Sequence, residues 1–445
     1  MTMNAIPSLS PAAERSPAAP ERPRRFGRFG RLPQLAGTSF LSVGFLARLP
    51  LAMLTVGALT IVTSASGSYA LGGFAAGAVG IGSALGAPIL GFLADRFGQR
   101  VVLLPAAALN TVAIGALVVL ALALTGTAAA AAVPVLAAAF LAGFTSPQIG
   151  PLARVRWVAM TRRPSDLDTA MSYESTADEL TFVLGPALVG LLASLAAPWV
   201  PLTLAAVLTL AMVSAFAVHP TGRLVGSSRG RSDVQEPGPA VTGRRSRLLI
   251  SIPVLGMVAM GTFFGGTQTT LTAFAGQFDA ASAAGLLYAV MGLSSAGAAL
   301  SVAFWPASFQ HSWRWIASAA GMVGLAALLF LPSGLPAMVF VLFLLGIPVG
   351  PTMVSIFSIG SMVAPRRLLG TVMTLLASGI VAGSALGSAV AGSLAESAGT
   401  GAAFAVPVLA AAALLVLGLT GAAGLRAHRR SVEATAAAAS GAMGS

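Results

Sequence analysis

The chain has 445 residues, 56% of them hydrophobic and only 9% charged, whereas soluble domains carry roughly 25% charged residues. Too few charges remain to coat a soluble globule, so a soluble enzyme is excluded and the lipid bilayer is the expected solvent for most of the surface. A net charge of +12 would point to nucleic acid in a soluble protein; here the basic residues sit between apolar runs, which gives them another origin and removes nucleic acid as a partner.

Residues 1–33 are rich in Pro, Ala and Arg, lack an apolar core, and read as a disordered cytoplasmic tail with no cleavable signal peptide. Breaks in hydropathy then place spans near 36–64, 70–93, 101–125, 130–156, 169–195, 199–218, 248–275, 280–304, 314–331, 335–362, 369–395 and 401–425. Each is close to the ~20 residues that a helical crossing needs. The runs are long and continuous, which excludes membrane strands. The polar stretch 219–247, with its Gly, Pro, Ser and Arg, is a cytoplasmic linker between a first bundle, 34–218, and a second, 248–425; residues 426–445 form a second cytoplasmic tail. The expected fold is an all-α integral membrane protein, twelve transmembrane helices in two six-helix pseudo-symmetric bundles.

The arginines orient this arrangement. They precede the first span (Arg15 to Arg31) and follow the second (Arg96, Arg100). They lie between the fourth and fifth (Arg154, Arg156, Arg162, Arg163), in the linker, after the eighth (Arg314) and tenth (Arg366, Arg367), and after the twelfth (Arg426, Arg429, Arg430). With the N-terminus in the cytoplasm every Arg except Arg48 is inside, as the positive-inside rule requires. Both termini are then cytoplasmic and the chain is expected in the cell inner membrane. Trp157, Trp199, Trp305, Trp313 and Trp315 all fall at span ends, where amphipathic rings prefer to sit. There is no Cys, and His219, His311 and His428 show no ligand spacing, so no metal or cofactor is expected.

Charges inside the apolar runs stand out. Arg48 lies about 16–18 Å along the first span at 1.5 Å per residue, near the middle of a ~30 Å core. Glu174, Asp178 and Glu179 occur in the fifth span, which starts from the same side, and Glu174 and Asp178 share a face at spacing four. Such charges cost several kcal/mol unless paired or hydrated. Arg48 is expected to pair with this cluster, with one carboxylate taking and releasing a proton. A purely structural ion pair, or an Arg48 that snorkels to the surface, are the plainer alternatives. In the seventh span Phe263, Phe264, Thr267 and Gln268, with Gln148 of the fourth, offer aromatic and neutral hydrogen-bonding groups suited to a modestly polar organic solute; interhelical packing is the competing role.

The loop after the second span reads Gly91-Phe-Leu-Ala-Asp95-Arg96-Phe-Gly98-Gln-Arg100. It resembles the signature of the major facilitator superfamily, with Gln99 off pattern. The resemblance implies two rocking halves with the solute site between them. It also implies a conformational latch made by Gly91, Asp95, Arg96, Gly98 and Arg100 between the second and eleventh spans. Gly379, Gly383 and Gly387 at spacing four suit that close crossing. The second-half counterpart near Ala303–Arg314 has lost the motif, so a latch is expected on one side only. Gly185, Pro186 and Gly190 are similar to the kinked Gly-Pro motif of bacterial drug and metabolite antiporters in this superfamily, with Gly permitting contact with the eighth span. The fourth span has Ala139 where such antiporters carry a membrane Arg, which puts a relay through that Arg in doubt. The functional expectation is a secondary active transporter, most simply a monomer, that exports a small organic solute by proton-coupled alternating access. An importer on the same fold is the alternative; a membrane-embedded transferase is a distant one.

Overall fold

The computed structural model describes residues 27–123, 129–225, 244–278, 284–306 and 308–442. The expected tail up to residue 26, the linker core 226–243 and residues 443–445 lie outside the described residues. The described chain is helical throughout, with no strand among the described residues. Twelve helices are long and apolar enough to cross a membrane: α1 Thr38–Ser66, α2 Leu71–Phe97, α3 Gln99–Leu122, α4 Ala132–Met160, α5 Pro164–Leu195, α6 Val200–Val218, α7 Leu248–Gly276, α8 Ala284–Phe304, α9 His311–Phe330, α10 Leu335–Val363, α11 Arg366–Ala403 and α12 Ala405–Ala423.

Hydropathy located these elements but trimmed their charged ends. α4 continues to Met160, past the expected end at 156, because helix geometry satisfies the backbone whatever the side chains are. Arg154 and Arg156, expected in a cytoplasmic loop, are instead fully buried within α4. Trp157 and Trp315, expected at an interface, are also buried. Residues 27–33 are not a free tail. Gly27–Arg31 forms a 3-10 turn and Leu32–Ala36 a short helix. Leu32 is buried, Phe29 packs edge-on against Phe304 at 5.8 Å, and Arg28 donates to the Ala303 carbonyl at 2.6 Å. At the other terminus the last helix runs on unbroken to Ala442, so the expected C-terminal tail begins as a helix.

Glycines set the helix crossings, and they do so symmetrically. A methyl at Gly143 of α4 would lie 2.0 Å from the Val79 carbonyl of α2. One at Gly346 of α10 would lie 2.2 Å from the Met291 carbonyl of α8. The fourth-on-second and tenth-on-eighth crossings are thus built alike, the mark of a repeated bundle. In the second bundle α7 and α11 interlock. Gly383 and Gly387 face the Val258 and Thr262 carbonyls at 2.0 and 2.2 Å. The Gly379–Gly387 stripe therefore serves the α7 crossing within one bundle and not the expected crossing with α2.

Two helices are broken where they matter. α1 turns at Ala47–Arg48, just before Pro50, whose ring cannot donate to the helical ladder. α4 is interrupted from Thr145 to Gln148, around Pro147. Both breaks face the space between the bundles.

Candidate functional site

Asp95 ends α2, and Gly370 and Thr371 lie in the opening turn of α11, so all three are at the same, Arg-rich end of the molecule. One Asp95 oxygen accepts from the Gly370 amide at 2.9 Å; the other accepts from the Thr371 amide at 2.7 Å and its hydroxyl at 2.8 Å. A carboxylate against the unsatisfied amides of a helix N-terminus is favourable in both charge and hydrogen bonding. Gly91 allows the approach: a methyl there would meet Thr374 Oγ1 at 2.1 Å. Gly98 takes φ +92, a left-handed conformation that suits glycine and turns the chain into α3. Arg96 and Arg100 are exposed, with Arg96 over the Phe97 ring. Gln99, the off-pattern residue, is buried; it accepts from Arg156 Nε at 2.8 Å and donates to the Leu152 carbonyl at 3.2 Å, tying this loop to α4.

A second tie crosses the bundles at the same end. Asp168, near the start of α5, meets His311 Nε2 at 2.8 Å and Arg314 Nη1 at 3.1 Å, both from α9. The expectation of a latch on one side only is therefore corrected. The second half supplies the basic partners and the first half the carboxylate, so no acidic signature remains around Ala303–Arg314 to be read.

Deeper, Arg48 reaches Glu174 in a direct ion pair and Asp178 Oδ1 at 3.0 Å from Nε. Arg154 Nη1 lies 2.8 Å from the other Asp178 oxygen, and the Trp157 indole donates to Glu174 at 2.7 Å. Two guanidiniums thus face two carboxylates, a neutral set. The Arg48 Nε and Arg154 Nη1 contacts are ion pairs by distance, bent away from hydrogen-bond geometry. Gly150 leaves the room for it, since a methyl there would be 2.7 Å from Asp178 Oδ1. The Arg154 guanidinium stacks on the Phe357 ring of α10 at 3.8 Å, so the network touches the second bundle. Arg154 and Trp157 were not candidates from the sequence. Arg154 is among the arginines expected in a loop, and it lies instead within the wholly buried stretch Ile149–Trp157 of α4.

This cluster walls a small, partly open cavity between the bundles, of about 70 Å³. Arg48, Gln148, Asp178 and Thr181 line it from the first bundle; Met353, Phe357, Ala377 and Ile380 line it from the second. Gln148 enters this wall from the break in α4, its amide 3.3 Å from Ser83 Oγ. The α7 candidates are not on this wall. Phe263 and Thr267 are buried, Phe263 within the core of the second bundle. Thr267 spends its hydroxyl on the Phe263 carbonyl one turn back at 2.7 Å, Phe264 packs against Tyr288, and Gln268 is exposed.

Glu179 is separate from the cluster it was expected to join. It is 7% exposed, neither carboxylate oxygen makes a hydrogen bond of normal geometry, and the group close enough to offer one is the Ser295 hydroxyl of α8. The helix 5 motif is also re-placed. Gly185 closes on Ala52 of α1, 2.6 Å from its Cβ, and Gly190 has nothing within 4 Å. The α5–α8 contact expected of Gly185 is made instead by Thr176, which donates to the Ala296 carbonyl at 3.2 Å, and by Val183 against Gly292.

Two six-helix bundles around a largely apolar cavity that carries Arg48, Gln148, Asp178 and Thr181 on one side, tied at one end through carboxylates, define a membrane transporter. Residues 40–379 match the Major Facilitator Superfamily, and the chain belongs to that family. Among solved structures it is similar to the human organic anion transporter MFSD10 (TETRAN), at 18% identity and a TM-score of 0.65, covering 86% of this chain and 99% of that one. It is equally similar to a bacterial homologue of the iron transporter ferroportin in an outward-facing state, again at 18% identity and TM-score 0.65, covering 87% and 99%. At this identity the likeness concerns the fold. No curated protein sequence matches the chain at a significant level.

Proposed function

We propose that this protein is a proton-coupled exporter of a small amphipathic organic solute, working as a monomer in the cell's inner membrane with both termini in the cytoplasm. The observation that carries the reading is the Arg48–Glu174–Asp178–Arg154 network on the wall of the inter-bundle cavity. Charges are retained in an apolar protein interior where they serve a solute or ion path. The facing wall of Met353, Phe357, Ile380 and Val381 suits the apolar part of an organic molecule, and Gln148 with Thr181 its polar part. The arrangement described here is closed at the Arg-rich end by Asp95 and Asp168. With that end in the cytoplasm it is outward-facing, the state in which the ferroportin homologue was solved. The similar fold of a human organic anion transporter supports an organic solute.

Rocking requires both ties to break. Each Asp exchanges its cross-bundle partners for water as the end opens, a near-balanced exchange, so solute and ion binding decide which state prevails. The export direction draws on the resemblance of the Gly185-Pro186 kink to antiporters. Import would use the same cavity with solute and proton moving in the same direction.

Inside-out vesicles acidified in the lumen, with a pH-sensitive dye, separate the two. Addition of amphipathic solutes from a panel is expected to release luminal protons for at least one of them, with that solute accumulating. Solute entering together with protons would establish the importer reading. Solute flux with no proton movement would remove the coupling.

A further inference from the structure

We infer that Glu179, on the seam between α5 and α8, is the site that carries the coupling proton, and that the Arg48 network beside it is a fixed ionic keel. The inference rests on the proton-coupled reading and specifies its residue.

The two sets of carboxylates stand in different surroundings. Glu174 and Asp178 are opposed by Arg48 and Arg154, so their charges are offset where they lie. Glu179 follows Asp178 by one residue, a rotation of about 100° on a helix, and points away from both guanidiniums. It is 7% exposed, no cation faces it, and the Ser295 hydroxyl across the seam stands near it without a hydrogen bond of normal geometry. Its titratable or charged neighbours are Asp178 on its own helix and Tyr288 on α8. α8 and α10 contain no Asp, Glu, Arg or His, and the one charged residue of α1, Arg48, is engaged elsewhere. An ionised carboxylate left there without a counter-charge is strongly disfavoured. A proton removes that cost, and the resulting acid has a hydroxyl to offer Ser295.

The position links the proton to the motion. Glu179 lies between the Thr176–Ala296 hydrogen bond on one side and the Val183–Gly292 contact on the other. Water reaches it when these contacts part. Opening the seam then releases one proton from Glu179 to water at the Arg-rich end, and once the seam has closed the carboxylate is reprotonated from the cavity side, where its neighbour Asp178 lies. Acid therefore favours the closed seam seen here, and alkali favours the open one.

The chain has no cysteine, so a spin-label pair at Ser165→Cys and Ser308→Cys, exposed residues on the two bundles at the Arg-rich end, reports the seam alone. The probe is the proton, varied from mildly acidic to mildly alkaline buffer in the purified full chain. In the parent the distance is expected to lengthen as pH rises. Glu179→Gln should hold the short distance at every pH, whereas Asp178→Asn and Glu179→Asp should keep a pH response, Asp with a displaced midpoint. His311→Gln controls for the Asp168 tie, and exchange of sodium for choline at fixed pH controls for a metal cation. The inference fails if Glu179→Gln shifts like the parent, if His311→Gln alone abolishes the response, if sodium replaces protons as the trigger, or if the parent is flat. Should the Gln variant not insert, an unchanged midpoint in Glu179→Asp overturns it. A flat parent whose vesicles still exchange protons for solute would sink this assignment and leave the transport reading standing.

Discussion

At the scale of single residues, the buried charges divide by partner. Arg48 holds two carboxylates of α5 at once, and its own backbone sits at the turn that Pro50 forces in α1. Removing one member of a buried pair leaves the others uncompensated, at about 3–5 kcal/mol. Arg48→Ala is therefore expected to lower the thermal unfolding temperature of the purified protein clearly. Double replacement of Arg48 and Glu174 by apolar residues should recover part of the loss. Equal stability of Arg48→Ala and the parent would show that the network is not what holds the first bundle. The Arg48 pairing was legible because charges inside apolar runs are conspicuous and residues four apart share a helix face. Glu179 was not placed correctly because adjacency in sequence is not adjacency on a helix. Arg154 was missed because hydropathy ends a span where charges begin, while the helix itself continues.

At the scale of elements, the glycine spacings announced close crossings without naming the partners. Spacing four on α11 fits any neighbouring helix, and the carbonyls it meets belong to α7. The residues of the Asp95 loop were legible from the motif, and of the two uses open to its carboxylate, an Arg or a helix N-terminus, the contact found is with the opening amides of α11. The Asp168 tie was not, because its acidic and basic members come from segments 143 residues apart. The α7 side chains misled for a local reason: a Thr in a helix satisfies its hydroxyl on the carbonyl one turn back and needs no cavity. Gly91 offers an element-level test. A Leu there overlaps Thr374 and the Gly370 carbonyl, so Gly91→Leu should keep the protein folded while lengthening the Ser165–Ser308 spin-label distance in acid. An unchanged distance would mean that α2 and α11 do not have to touch for the end to close.

At the scale of the whole molecule, the two bundles have their own apolar cores and meet chiefly along α2–α11 and α5–α8. Composition and hydropathy breaks made the twelve helices legible, because lipid imposes helix length independently of any packing detail. The cavity was legible only in part, since its second-bundle wall is made of ordinary apolar residues from α10 and α11 that nothing in their own sequence distinguishes from core. The claim at the centre of this account is that the bundles rock as bodies about that cavity, one end opening as the other closes. Spin-label distances at both ends test it directly: the Ser165→Cys and Ser308→Cys pair at the Arg-rich end, and a Ser64→Cys and Gly276→Cys pair, exposed at the opposite end. Conditions that lengthen the first distance are predicted to shorten the second. Two distances that lengthen together, or one that moves while the other stays fixed, would contradict it.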